Sequence, residues 1–148
     1  MSGSSDSRQT TDGAAATEAV GAALAATLRP GDIVLLEGEM GAGKTTFVRG
    51  AARALGFDGP VTSPTFTIGR HYESGRVPIA HLDLHRLPGL ADEDPALLDD
   101  YLMPDTIAFI EWPAIAEPQL ERIAARVKLE HAGGDTRRIT VVASSSDR

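Results

Sequence analysis

The segment Gly38-Glu39-Met40-Gly41-Ala42-Gly43-Lys44-Thr45 sets glycines, a lysine and a hydroxyl at the spacing G-x-x-x-x-G-K-[ST]. Each residue type has a task in gripping phosphate. Glycines let the backbone turn tightly and aim successive N–H groups inward at an anion. A helix that begins there adds the positive end of its dipole. Lys44 supplies a mobile point charge for β- and γ-phosphates, and the Thr45 hydroxyl is a ligand for Mg²⁺. Lysine is otherwise rare: of the 14 cationic side chains only Lys44 and Lys128 are lysines. The flanks suit the task. Ile33-Val34-Leu35-Leu36 reads as a strand buried on both faces, and Thr45 to Leu55 as a helix with Gly56 at its end. Without such flanks the string would be a glycine-rich turn with a chance lysine; with them it points to a P-loop for a nucleoside triphosphate and Mg²⁺. No Asn-Lys-x-Asp segment of the kind that reads guanine occurs, so ATP is the expected nucleotide.

A cradle of this kind needs a carboxylate at the end of a neighbouring strand to orient the metal shell. Two apolar runs end in one: Ile107-Ala108-Phe109-Ile110 runs into Glu111, and Ile79-Ala80-His81-Leu82 into Asp83. Glu111 is assigned to the metal, because its run is the more uniformly apolar and hence the more central strand. Asp83 is left to position the attacking water or sense the γ-phosphate. The residues alone also allow the two roles to be exchanged, or both acids to be solvated strand ends. In Thr62-Ser63-Pro64-Thr65-Phe66, Pro64 holds Ser63 extended and puts Thr65 at the head of a strand. There a hydroxyl could respond to the γ-phosphate or Mg²⁺; a stiffened lead into a strand is the plainer alternative. Trp112, the single tryptophan, needs no role beyond packing on its own evidence. His81 and His85 flank Asp83 and read as packing or surface residues, and the acids from Asp92 to Asp100 as a solvated helix face.

The elements that would position these groups follow an α/β pattern. Thr17 to Leu28 has helical spacing and is stopped by Pro30-Gly31. Phe66 to Tyr72 and Pro78 to Leu84 read as strands joined by Glu73-Ser74-Gly75, and Asp92 to Leu102 as an acidic helix. Gln119 to Ala125 reads as a short helix. Val127 to His131 and Arg138 to Val142 alternate around Gly133-Gly134-Asp135 as a C-terminal hairpin. Residues 1–12 and 144–148 are polar and serine-rich and are expected to be disordered tails around a single domain over residues 13–143. The expected fold is a three-layer α/β/α sandwich around a largely parallel sheet, with nucleotide at the carboxyl ends of the strands.

Composition narrows the function classes. With 148 residues, 42% of them hydrophobic, the chain suits one core. No apolar stretch approaches the roughly 20 residues of a membrane span, and the start lacks a signal-like core; a cytoplasmic protein with no membrane partner is expected. The absence of cysteine removes disulfides, thiol catalysis and Cys-based zinc sites. A net charge of −7 gives no electrostatic footprint for a nucleic-acid backbone, so any such role would pass through a partner.

Taken together, four segments resemble one family, the bacterial TsaE proteins, also called YjeE. They are Gly38 to Thr46, Thr62-Ser63-Pro64-Thr65-Phe66-Thr67, His81-Leu82-Asp83-Leu84-His85-Arg86 and Ile110-Glu111-Trp112-Pro113. Their order and spacing fit that family from about Thr17 to Val142. The loop is shared by countless NTPases; the other three segments make the resemblance specific. It implies an ATPase required to form threonylcarbamoyladenosine beside the anticodon of tRNAs that read codons beginning with A. It further implies that Gly41, Ala42, Gly43, Lys44, Thr45 and Thr46 hold ATP, that Thr45 and Glu111 bind Mg²⁺, and that Asp83 and Trp112 matter for activity. Thr65 and Trp112 thereby join the nucleotide-binding candidates, beside Lys44, Asp83 and Glu111 as the catalytic group. The implied partners are the TsaD and TsaB proteins, with tRNA reached indirectly through them. His85 stands where the family usually has Tyr, which leaves the role of that ring open. Two other readings remain. A shikimate-type small-molecule kinase shares Met40 to Lys44, but its Asp-x-Asp-type substrate segment is missing from Thr62 to Thr67. A nucleotide-dependent binding switch with incidental hydrolysis would use the same loop.

Overall fold

The computed structural model describes residues 4–39, 42–62, 69–73, 75–83, 101–111 and 123–144. In chain order the elements are β1 (Ser4–Asp12), α1 (Ala14–Ala25), β2 (Ile33–Gly38), α2 (Lys44–Ala54), β3 (Gly69–Tyr72), β4 (Ile79–Asp83), β5 (Ile107–Glu111), β6 (Ile123–His131) and β7 (Thr136–Ser144). The strands form one sheet in the order β1-β7-β6-β2-β5-β4-β3. Its centre, β6-β2-β5-β4, is parallel, and antiparallel pairs close both flanks.

Central strands with neighbours on both sides and cover on both faces must be apolar throughout. The first four residues of β2 and of β4 and all five of β5 are buried. Side chains alternate across the sheet, and the two faces build separate cores. Val34, Leu36, Ile79, Ile107 and Phe109 face α1 and α2. Ile33, Leu35, Ala80, Leu82, Ala108 and Ile110 form the other cluster, with Tyr101 and Leu102 packed on it. Among the described residues the helices lie on one face only.

Helix α1 buries Thr17, Val20, Gly21, Leu24 and Ala25, an i, i+3, i+4, i+7, i+8 stripe. It begins and ends three residues earlier than the spacing predicts. Ala14 to Ala16 are strong helix formers that extend it back to Gly13. At the other end the Thr27 hydroxyl donates to the Leu24 carbonyl at 2.8 Å, a local side-chain bond that competes with helix continuation. Helix α2 buries Phe47, Val48, Gly50, Ala51 and Ala52 against α1 and the sheet.

Three expectations are corrected. Residues 1–12 were expected as a disordered tail, yet Ser4–Asp12 pairs along its length with β7. The ladder uses backbone groups, which polar side chains do not weaken, and polar residues suit an exposed sheet edge. Its end is fixed by contacts between Thr11 and Thr17 hydroxyls at 2.8 Å and from the Thr136 hydroxyl to Asp12 at 2.9 Å. Ile123 to Ala125, expected to end a short helix, instead opens β6 between β2 and β7. Pairing on both sides overrides the helix propensity of its alanines. The hairpin β6–β7 forms where expected, with longer arms, and Ser144 closes β7 rather than opening a tail. Of the predicted helix Asp92 to Leu102, only Tyr101 and Leu102 are described, and they are turn and irregular backbone.

Candidate functional site

The cradle forms where β2 gives way to α2. The loop closes on itself through an Ala42 N–H to Glu39 carbonyl bond of 3.0 Å. Gly43 caps α2 with φ +104°, in the left-handed region, with no side chain bonded to the helix end and no acid in the first turn. A positive φ is strained for any residue with a Cβ. Gly38 has a steric reason of its own: a Cβ there would come within 2.5 Å of the Leu129 carbonyl oxygen. The first turn of α2 thus offers its N–H groups to an anion without a competing carboxylate.

Lys44 is buried and donates from Nζ to the Gly38 carbonyl at 2.5 Å. An ammonium has three donors; this contact uses one and holds the amine inside the loop. Thr45 is half-buried, and its hydroxyl donates to Glu111 Oε2 at 3.4 Å. The contact is long for an O–H···O bond, so it sets two oxygens side by side without locking them.

Glu111 is buried at the end of β5, which lies directly beside β2, with Leu36 as its partner in register. On its other side Asp83, half-buried, ends β4 opposite Glu111. Alternation puts Ile79, His81 and Asp83 on one face of β4, and Ile107, Phe109 and Glu111 on the same face of β5. Ile79, Ile107 and Phe109 pack toward the helices, so both acids share the side on which α2 begins.

A polar chain then runs inward from Glu111. His81 is wholly buried, and its Nε2 lies 2.6 Å from Glu111 Oε2. A carboxylate oxygen only accepts, so Nε2 carries the donated proton. Nδ1 lies 3.0 Å from the Tyr72 hydroxyl, and that hydroxyl lies 3.1 Å from the Thr62 carbonyl; its single proton serves one of the two contacts at a time. Burial raises the pKa of the Tyr72 phenol above its ordinary value, so this link stays neutral. From the sequence His81 reads as a packing or surface residue, Thr62 only as the start of the segment that leads to Thr65, and Tyr72 only as the end of a strand. The available signal was that His81 precedes Asp83 by two and so shares its face; nothing marked Tyr72.

A cleft of about 290 Å³ adjoins the cradle, lined by Gly13, Ala14, Thr17, Gly43, Thr46, Asp135 and Arg137. It joins the last part of the loop to the turn of the β6–β7 hairpin. Apart from Gly43 and Thr46, no sequence signal marked its lining. Thr65, Trp112, His85, Arg86 and Gly41 lie outside the described residues.

Thr45 and Glu111 are hard oxygen donors. They fit Mg²⁺, which takes one or two protein oxygens and fills its shell with phosphate oxygens and water. Among the described residues no group of three or more His, Asp or Glu would hold a metal by protein side chains alone. Nor is any helix there long and apolar enough to cross a membrane.

Comparison with known proteins places the chain in a family. A family model described as "Threonylcarbamoyl adenosine biosynthesis protein TsaE" matches residues 11–139. A tRNA threonylcarbamoyladenosine biosynthesis protein TsaE from Bacillus subtilis is 41% identical over 128 residues, covering 86% of this chain and 79% of that protein. Its counterpart from Streptomyces coelicolor is 42% identical over 119 residues, covering 79% and 80%. The crystal structure of Bacillus subtilis YdiB matches with a TM-score of 0.76 and 33% identity, over 98% of this chain and 90% of that one. The chain belongs to the TsaE family.

Proposed function

We propose that this protein is a Mg²⁺-dependent ATPase whose hydrolysis serves the formation of threonylcarbamoyladenosine in tRNAs reading codons that begin with A. The family supports the pathway, and one observation carries the chemistry. Beside a buried Lys44 held within the loop, the Thr45 hydroxyl meets the Glu111 carboxylate across 66 residues of sequence. A loop that merely turned a strand into a helix would have no reason to assemble these three groups.

The loop N–H groups and Lys44 bind the β- and γ-phosphates. Thr46 and the cleft beside it, with Thr17 and Arg137 in its lining, receive the ribose and base. At about 290 Å³ the cleft is near the lower end of small-ligand sites, a size for part of a nucleotide. Thr45 and Glu111 would hold Mg²⁺, which when bound neutralises charge on the phosphate oxygens. Thr45 can donate its proton to Glu111 and keep its lone pairs for the cation. Asp83, one strand further out, orients water for in-line attack. Gly41, Thr65 and Trp112 complete the nucleotide contacts on the strength of the family resemblance. TsaD and TsaB are the proposed partners, and tRNA is reached through them in the cytoplasm. Purified protein should release phosphate from ATP only with Mg²⁺ present. The wild-type gene, but not Lys44→Ala, should restore modified tRNA in a bacterium depleted of its own TsaE. Restoration by Lys44→Ala would sink the ATPase reading.

A further inference from the structure

We propose that His81 and Tyr72 are positioning residues for Glu111, fixing its carboxylate for the divalent cation and tying that orientation to the backbone at Thr62. The inference rests on the reading of Glu111 as part of the metal shell. Its own evidence is a continuous set of contacts: Glu111 Oε2 to His81 Nε2 at 2.6 Å, His81 Nδ1 to the Tyr72 hydroxyl at 3.0 Å, and that hydroxyl to the Thr62 carbonyl at 3.1 Å.

A carboxylate at a strand end can rotate about its last two torsions, and Thr45 at 3.4 Å does not hold it. The short contact to His81 does, because the imidazole cannot move. It is wholly buried on β4, in register with Phe109 on β5, and its far nitrogen meets Tyr72. Tyr72 is itself pinned, with its ring stacked on Phe57 at 4.8 Å between centroids and its hydroxyl at the Thr62 carbonyl. Packing alone would favour an aliphatic residue at position 81, on a strand whose other buried residues are Ile79, Ala80 and Leu82. A wholly buried imidazole is costly unless both nitrogens find partners, and here both do. Partners that orient a metal-binding carboxylate set its affinity without touching the cation.

The test is a Mg²⁺ titration of the binding of a fluorescent ATP analogue, read without turnover, with nucleotide binding in chelator and thermal unfolding as controls. His81→Leu should raise the Mg²⁺ needed by about tenfold, the lower end of the range for such partners, and leave binding in chelator unchanged. His81→Gln, whose amide can place a donor near Nε2, should restore most of the loss. Tyr72→Phe should cost about threefold, the scale of one neutral hydrogen bond. In a Glu111→Ala background, His81→Leu should have no further effect, because the carboxylate it positions is gone. Wild-type Mg²⁺ dependence in His81→Leu while Glu111→Ala is impaired would overturn the positioning role and leave the metal assignment standing. Unchanged Mg²⁺ dependence in Glu111→Ala would remove the metal assignment and the inference with it. Additive losses in the double variant would make His81 a structural residue only. If His81→Leu fails to fold, the Gln and Phe variants decide: a Tyr72→Phe protein with normal Mg²⁺ dependence overturns the relay.

Discussion

Replacing Lys44 by alanine tests the centre of the site, and the structure sets the size of the effect. One of the three ammonium donors is committed to the Gly38 carbonyl at 2.5 Å, which leaves two for phosphate oxygens. Hydrogen bonds to charged groups contribute about 1.5–3 kcal/mol each, so two are worth roughly 3–6 kcal/mol. At 1.4 kcal/mol per decade that is about 10²–10⁴-fold, divided between nucleotide affinity and turnover. Nucleotide affinity in Lys44→Ala should fall at least tenfold, with phosphate release below detection. The fold should survive. Alanine is a better helix former than lysine, and the lost bond to Gly38 is worth about 1.5–3 kcal/mol, partly offset by relieving a buried charge. A melting temperature lower by no more than about 10 °C follows for a chain of this size. Fluorescent-nucleotide titration, phosphate release and calorimetry measure the three quantities. Wild-type turnover would refute the loop as the phosphate site, and collapse of the fold would refute the separation of cradle from core.

The two strand-end acids should fail differently. Glu111→Gln should raise the Mg²⁺ needed for nucleotide binding, whereas Asp83→Asn should bind Mg²⁺–ATP nearly normally and lose turnover; the reverse pattern in binding and single-turnover assays would exchange their roles. Gly50→Ala should loosen the contact between α1 and α2, since the added Cβ would lie 2.0 Å from the Glu18 carbonyl oxygen. Overpacking costs about 1–3 kcal/mol, so melting should drop by roughly 2–12 °C; an unchanged melting curve would mean the helices part freely there. The isolated protein should hydrolyse ATP well below the 1–100 s⁻¹ of kinases, because among the described residues no arginine has a clear claim on the γ-phosphate. Turnover should rise with TsaD and TsaB, and the fluorescence of the single tryptophan should report each binding step. Fast turnover indifferent to those proteins would defeat the coupling.

Strand β2, the loop and α2 were legible because each has its own local signal: an apolar run, a glycine-lysine spacing and a helical stripe. Strand β5 was legible for the same reason, and its position beside β2 follows the argument that the more uniformly apolar run is the more central. Strand β1 was not legible. Its residues carry no apolar alternation, and the partner that makes them a strand lies over 120 residues away. The start of β6 misled because alanine-rich sequence favours a helix until a strand is offered on each side. Local pattern cannot report a neighbour brought in from elsewhere.

The site divides along the same line. A two-residue period places His81 and Asp83 on one face of β4 and Phe109 and Glu111 on the matching face of β5, and these facts are in the sequence. Whether His81 faces a carboxylate or a methyl group depends on the register between the two strands, which no local pattern fixes. Asp83 pairs with Glu111, so His81 is offset by two residues from the acid it reaches. The separation is short enough for an imidazole to span along the sheet toward the end of the neighbouring strand. A shift of β4 by one residue would turn His81 to the opposite face, into the cluster of Leu82, Ala80 and Ile110, where neither nitrogen would meet a partner. The buried histidine therefore adds specificity to the register that aligns the two acids. Slippage would strand the imidazole among aliphatic side chains and separate Asp83 from Glu111 in the same movement.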